Sequence, residues 1–153
     1  MKIKDKYYKS VEKLLYNYNM LKINIEILSH QLEELKKEEG MKGVAYDDVK
    51  ISKTNKFHSQ TEEAAINNIE LEKLINKKKE KLQRKLDMLD KLTEGLNKVE
   101  REIIRMYYIE GKQWWQIAYE VKYSERHCRR IRSEAICKLA VGLYGEEVIE
   151  MSV

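Results

Sequence analysis

The chain has 153 residues, of which 42% are hydrophobic and 37% charged, with 6 Gly and no Pro. This length allows one ordinary domain or two small helical units and excludes a large α/β enzyme. Apolar runs are too short for a membrane span of about 20 residues. The lysine-rich residues 1–9 are not followed by the apolar stretch of a signal peptide. We therefore expect a cytoplasmic, largely helical protein.

The positive charge is concentrated in one part of the chain. Residues 96–145 carry 10 basic and 6 acidic side chains, whereas residues 146–153 carry 3 acidic side chains and no basic one. Four of the 7 Arg fall within positions 126–132. The planar, forked donors of Arg suit phosphates and guanine edges. A charge run alone is typical of a solvated helix face, so its meaning depends on the elements around it.

The first predicted element is a long amphipathic helix. Apolar side chains recur at heptad spacing, at Val11, Leu14, Tyr18, Leu21, Ile25, Leu28, Leu32 and Leu35. Such a seam must be buried on another surface. It is equally compatible with a helix that packs within the chain and with a coiled coil between two chains. Since an exposed stripe of this length is not expected on a monomer, we predict a dimer or higher oligomer through this seam.

A second long helix is predicted after a loop. Gly40 and Gly43 are expected to end the first helix, and residues 41–60 lose its periodicity. The segment Ser59-Gln60-Thr61-Glu62 resembles a capping box, which predicts a helix start there. The stripe that follows is Leu71, Ile75, Leu82, Leu89, Leu92 and Leu96. Residues 1–95 are therefore expected to form a helical hairpin or coiled-coil region, with the two helices paired within one chain or between chains.

Three shorter helices are predicted in residues 96–145. Asn97 with Glu100 offers an N-cap for the first, which should stop at Glu110-Gly111. The second has apolar residues at Trp114, Ile117, Ala118 and Val121. Lys122-Tyr123 reads as a turn, and Ser124 is a good N-cap for the third. This order predicts a helix-turn-helix domain, followed by an acidic tail at 146–153.

The third short helix divides into two faces. If Cys128, Ile131, Ala135 and Ile136 pack inward, an outer face of Glu125, Arg126, Arg129, Arg130 and Ser133 points away from the core. An exposed face that begins at a helix N-terminus and carries Arg suits the major groove of DNA. Together with the cap and the flanking side chains, the predicted DNA-binding residues are Ser124, Glu125, Arg126, His127, Arg129, Arg130, Arg132 and Ser133. His127 and Arg132 are expected on the flanks, facing phosphates or solvent.

These residues resemble region 4 of bacterial sigma factors, the helix-turn-helix that reads the promoter −35 element. The matching segments are Val99-Glu100-Arg101-Glu102-Ile103-Ile104, Tyr107 to Gly111, Gln116-Ile117-Ala118, Tyr123-Ser124, Arg129-x-Ile131 and Ala135-Ile136-Cys137-Lys138-Leu139. Cys128 departs from the family, which usually has Thr, Val or Ile there. Nothing in residues 1–95 resembles sigma region 2. The whole chain is similar instead to small phage and prophage late-gene regulators of the ArpU and RinA kind.

The second resemblance implies a transcription activator of late phage genes that binds double-stranded DNA. Trp115 and Tyr119 are expected on the outer side of their helix, where they either pack on the surface or contact RNA polymerase or another protomer. Two alternatives stay open: a DNA-packaging subunit similar to a small terminase, and a coiled-coil adaptor that does not bind DNA. A ring-sized oligomer would favour the DNA-packaging subunit. Absence of salt-dependent DNA binding would favour the coiled-coil adaptor.

Enzyme chemistry is not expected. The chain has no Walker A loop, G-x-G-x-x-G or H-E-x-x-H motif. Cys128, Cys137 and His127 lack the spacing of a zinc site. We therefore expect no metal, no cofactor and no catalytic residue.

Overall fold

The computed structural model is all-α, as predicted. It describes the backbone of residues 1–44 and 56–151, and the side chains of residues 1–40 and 67–151. Six α-helices lie in these ranges: α1 (Asp5–Tyr16), α2 (Tyr18–Val44), α3 (Lys56–Glu94), α4 (Lys98–Ile104), α5 (Trp114–Val121) and α6 (Glu125–Tyr144). A π-helical turn, Arg105–Ile109, continues α4, and a 3-10 turn, Glu146–Val148, follows α6. None of the described helices is long and apolar enough to cross a membrane.

The two long helices extend further than expected. The first predicted helix is divided at Asn17, and its second part, α2, continues through Gly40 and Gly43 to Val44. The predicted stop at these glycines is wrong, because Gly lowers helix stability by about 1 kcal/mol without forbidding the conformation. The helix α3 begins at Lys56, so Ser59 lies inside the helix and does not cap it. Residues 45–55 of the predicted loop lie outside the described residues.

The backbone forms two compact units, Met1–Lys22 with Arg84–Val153 and Ile23–Gln83. The predicted boundary at residue 95 differs from this division. The reason is that α1 and the end of α3 share one core with the C-terminal helices.

In the first unit, α1 packs against α6. Val11 and Leu15 are buried in the same cluster as Ile136 and Leu139. Polar contacts extend this packing toward the end of α6, where the Oγ of Ser10 lies 2.6 Å from the hydroxyl oxygen of Tyr144. The N-terminal helix is therefore part of the C-terminal core, a contact that no local pattern in the sequence predicts.

The predicted acidic tail is not free of the fold. Ile3 and Ile149 form an antiparallel bridge, in which the N–H of Lys4 donates to the carbonyl of Val148 at 3.0 Å. The side chain of Val148 is fully buried. Lys2 and Glu150 form an exposed ion pair at 3.4 Å. Residues 146–150 therefore pack on one side of the core through the buried Val148, although the segment is acidic.

In the second unit, α2 and α3 line a common groove, and each helix buries apolar side chains. Ile25 and Leu32 of α2 and Ile75 of α3 are buried. These two α2 residues belong to the heptad seam, and its other members are at least half-buried in the unit to which each belongs. The seam is therefore not an exposed stripe. The predicted oligomer stays a prediction, but it needs a surface that the chain itself leaves open.

Candidate nucleic-acid interface

The helices α5 and α6 are joined by a turn of three residues, as the sequence predicts. Lys122 ends α5 in the left-handed conformation, with φ of 60°. Ser124 then caps α6, since its Oγ accepts a hydrogen bond from the N–H of His127 at 3.2 Å. This cap satisfies one of the unpaired N–H groups in the first turn of α6. The arrangement fixes where the first turn of α6, with its basic residues, begins.

The helix α4 is anchored to α6 by a buried carboxylate. Asn97 and Glu100 form the predicted reciprocal cap: the N–H of Glu100 donates to Asn97 Oδ1 at 2.9 Å, and the N–H of Asn97 donates to Glu100 Oε2 at 3.1 Å. The second carboxylate oxygen of Glu100 accepts a hydrogen bond from Lys138 Nζ. Glu100 is only 4% exposed. One side chain therefore both starts α4 and ties it to the middle of α6.

The inner face of α6 is the predicted one. Cys128 is fully buried against Ile103, Met106 and Ile117. Burial raises the pKa of the Cys128 thiol, so the residue acts as a small apolar group. Other predicted inner residues of α5 and α6 are buried or half-buried: Trp114, Ala118, Val121, Ile131, Ala135, Ile136 and Leu139. The three helices thus enclose their own core and leave Glu125, Arg126, Arg129 and Arg130 of α6 exposed.

The outer face of α6 presents exposed guanidinium groups from its first turn onward. Arg126 is exposed, and the side chain of Arg130 is 70% exposed. Arg129 is partly oriented, since its Nη2 lies 3.4 Å from Glu125 Oε2 and its guanidinium carbon lies 5.5 Å from the Trp114 ring centroid. The ion pairs of Arg129 and Arg130 are exposed and weak, so both guanidinium groups can exchange them for another acceptor.

Arg132 does not belong to this surface. Its guanidinium carbon lies 5.2 Å from the ring centroids of both Tyr107 and Trp114. Its Nε is buried and has no hydrogen-bond partner among the described residues. The predicted phosphate contact does not fit this placement, because cation–π attraction to the two aromatic rings holds the side chain on the flank facing α5.

Ser133 and His127 are also engaged within the chain. The Oγ of Ser133 donates to the carbonyl of Arg129 at 3.2 Å and accepts from the hydroxyl of Tyr8 at 3.3 Å. The ring of His127 meets the ring of Tyr123 edge-on, with centroids 4.8 Å apart. The exposed part of the outer face is therefore smaller than predicted, because α1 contacts it at Ser133. This exposed part consists of Glu125, Arg126, Arg129 and Arg130.

The two tryptophans occupy different environments. Trp114 is half-buried and stacks on Tyr107, with ring centroids 4.4 Å apart and an interplanar angle of 22°. Trp115 is 64% exposed and Tyr119 is 84% exposed. The predicted difference in burial is confirmed, although Trp114 lies at the edge of the core rather than within it. Whether Trp115 and Tyr119 contact a partner stays a prediction.

A cluster of tyrosines beside the π-helical turn escaped the sequence analysis. Tyr16, Tyr107 and Tyr108 pack edge to face or at a tilt, with centroids 4.7 to 6.2 Å apart. The hydroxyl of Tyr108 donates to Glu12 Oε1 at 2.8 Å. The adjacent tyrosines Tyr107 and Tyr108 are evident in the sequence. The orientation of their rings depends on the π-helical turn, which no local sequence pattern predicts.

Metal-binding geometry is not found in the described part of the chain. No group of three or more His, Cys, Asp or Glu side chains there could hold an ion. The exposed guanidinium groups of Arg126, Arg129 and Arg130 can donate hydrogen bonds to anions and other acceptors.

The chain matches a known protein family over most of its length. A family model with the description "Protein of unknown function (DUF722)" matches residues 7–141. The chain belongs to the DUF722 family. The DUF722 match begins inside α1 and ends inside α6, so it contains the second compact unit, most of the first and the exposed part of the outer face of α6. No curated protein and no solved structure matches the chain.

Proposed function

We propose that this DUF722 protein is a sequence-specific DNA-binding regulator of transcription, in which the exposed part of the outer face of α6 enters the major groove. The observation that carries the proposal is the combination of a capped, exposed helix start with Arg126, Arg129 and Arg130 on one side of it. Bidentate contacts from Arg to guanine O6 and N7 are the commonest specific contacts of such helices.

The packing around α6 supports this assignment. A recognition helix must be rigid relative to its neighbours, because base contacts depend on the position of each side chain. The cap at Ser124, the Glu100–Lys138 contact and the stacking of Arg132 hold α6 against α5, α4 and the π-helical turn. The exposed side chains are thereby left for DNA, whereas the buried ones position the helix.

The resemblance to late-gene regulators extends the proposal to a process. The protein would bind upstream of late phage genes and activate their transcription, with the exposed Trp115 and Tyr119 contacting RNA polymerase. Aromatic side chains of this exposure are typical of protein contacts. The test of this part is a reporter driven by the bound promoter, in which Trp115→Ala lowers expression without lowering DNA affinity.

Selection from a random duplex library tests the proposal as a whole. The full-length protein is expected to enrich one sequence, to bind it more tightly than random DNA, and to lose affinity steeply as salt rises, because counterions are released from phosphates. Equal binding to all sequences, or binding insensitive to salt, contradicts it. A ring-sized assembly together with sequence-independent binding would favour the DNA-packaging alternative.

A further inference from the structure

The second compact unit, Ile23–Gln83, has an open apolar groove. A cavity of about 370 Å³ lies between α2 and α3. Its apolar lining residues are Leu28, Leu35, Leu71, Leu74 and Ile75, and Gln31 also lines it. Leu71 is 43% exposed and Leu74 is 52% exposed. The two helices therefore cover one side of their contact and leave leucines exposed along the other.

The groove continues along α2. Ile27 is 49% exposed and lies one helical turn before Gln31, so it extends the same side of the helix. Two helices packed on each other have one mutual face and bury little, and stable helical bundles generally need three or four helices. An apolar side left open on both helices of such a pair is where further helices are expected to pack.

The charges beside the groove differ between the two helices. On α2, residues 33–39 contain 4 Glu and 2 Lys, whereas residues 73–81 of α3 contain 5 Lys and 1 Glu. Glu34, Glu38 and Lys78 line the groove itself. Within the described ranges none of these three forms an ion pair with another residue of the chain. The groove thus has an acidic edge and a basic edge with leucines between them.

We infer that this groove is the contact face for a second copy of the chain, which closes it as a four-helix bundle. A twofold axis parallel to the helices places the acidic α2 of one copy over the basic α3 of the other. A twofold axis across the helices would place α2 over α2 and α3 over α3, so that like charges face each other. The leucines supply the binding energy, and the charges select the first arrangement.

This inference moves the predicted oligomer contact without relying on DNA binding. The heptad seam lies on α1 and α2 and is partly buried within the chain. Its Leu28 and Leu35 also line the groove between α2 and α3 that pairs. A regulator with this interface would bring two copies of the outer face of α6 to DNA. The dimer follows from the groove alone, so its failure leaves the proposed function intact and the reverse also holds.

The mass of the full-length protein in solution tests the inference. Sedimentation equilibrium at about 50 μM is expected to give twice the chain mass of 18.3 kDa. The double variant Leu71→Gln/Leu74→Gln is expected to give the single-chain mass with unchanged helical circular dichroism, since both side chains are exposed in the single chain. The matched control is Ile69→Gln. Ile69 is 48% exposed on α3 but points about 140° away from Leu74 at about 100° per residue, so this variant should remain dimeric.

Charge reversal tests the direction of the axis. In Glu34→Lys/Glu38→Lys the basic edge of one copy faces Lys residues of the other, so the dimer dissociation constant should rise about tenfold. Adding Lys78→Glu to this variant should recover part of the loss. Because all three positions are exposed, folding of the variants does not depend on the dimer.

The outcomes that overturn the inference are distinct. A wild-type protein that sediments as a single chain at about 50 μM excludes the second copy. An assembly larger than two, or a Leu71→Gln/Leu74→Gln variant that remains dimeric, excludes this groove as the contact face. A Glu34→Lys/Glu38→Lys variant that dimerises as well as the wild type excludes the parallel axis.

Discussion

The guanidinium carbon of Arg132 lies 5.2 Å from the ring centroid of Trp114, about 120° around α6 from Arg126 at about 100° per residue. The two Arg belong to the same cluster in the sequence and differ in what they contact. Arg132 packs on aromatic rings of neighbouring elements, whereas Arg126 is exposed. The basic cluster therefore combines residues that position the helix with residues that are free to bind.

Arg132→Ala is expected to lower the free energy of unfolding by roughly 1–3 kcal/mol, because it removes cation–π contacts to two rings and the packing of the side-chain stem. Arg126→Ala should change it by less than about 0.5 kcal/mol. Urea denaturation of both variants measures the difference. Equal stability of Arg132→Ala and Arg126→Ala would show that Arg132 is not a positioning residue.

Trp114→Ala and Trp115→Ala should separate stability from function. Trp114 stacks on Tyr107 and packs against the buried cluster that contains Ile117 and Cys128. Trp114→Ala should therefore lower the free energy of unfolding by roughly 2–4 kcal/mol, somewhat less than loss of a fully buried Trp. Trp115→Ala should leave both stability and DNA affinity nearly unchanged. Thermal denaturation of the two variants measures this, and a similar loss in Trp115→Ala would place both rings in the core.

Glu100→Ala should destabilise the C-terminal unit by about 1–3 kcal/mol. The variant loses the reciprocal cap with Asn97 and leaves Lys138 without its buried partner. The control is Glu134→Ala, which removes an exposed pair with Arg130 at 3.8 Å and should cost less than about 0.5 kcal/mol. Denaturant midpoints compare the two, and equal midpoints would contradict the anchoring role of Glu100.

Stability should fall at alkaline pH through the tyrosine cluster. Burial, helped by the hydrogen bond to Glu12, raises the pKa of Tyr108. Partial burial, helped by the hydrogen bond to Tyr107, raises the pKa of the more exposed Tyr16 to about 12. In the unfolded chain both titrate near pH ~10. The folded state therefore holds these protons longer, and the stability that they contribute is complete below pH ~10 and is lost as pH rises toward about 12.

Denaturation at several pH values between about 8 and 11 measures this effect. Tyr108→Phe keeps the ring and removes the ionisable hydroxyl, so its stability should depend less steeply on pH above about 10. A wild-type protein whose stability is constant over this range, or a Tyr108→Phe variant with the same slope, would contradict the role assigned to the cluster.

Local signals in the sequence predicted the elements around the candidate site well. The caps at Asn97 and Ser124 depend on hydrogen bonds within three residues, and the turn at Lys122 depends on its left-handed backbone. Each lies where expected. The inner residues of α6 follow from helical periodicity alone. The main class of the fold and the exposure of Arg126, Arg129 and Arg130 were therefore predictable.

Contacts between distant segments were not predictable in the same way. The bridge between Ile3 and Ile149 and the packing of Tyr8 on Ser133 join residues more than a hundred positions apart, for which no local pattern exists. Arg132 was placed on a flank because a helical wheel ignores what lies beside the helix. Its actual position depends on the rings of Tyr107 and Trp114, which the π-helical turn and α5 bring to it.

The most direct test of the central claim is a fluorescence anisotropy titration on the sequence enriched from the random library. Wild-type protein, Arg129→Ala and Arg130→Ala are compared on that duplex and on a scrambled one, at fixed salt. At least one single variant is expected to lose roughly 1–3 kcal/mol of binding free energy on the enriched duplex, because a base contact is lost. Its loss of binding free energy on the scrambled duplex should be smaller. Unchanged affinity of both variants for the enriched duplex would contradict the assignment of the outer face of α6 as the DNA-reading surface.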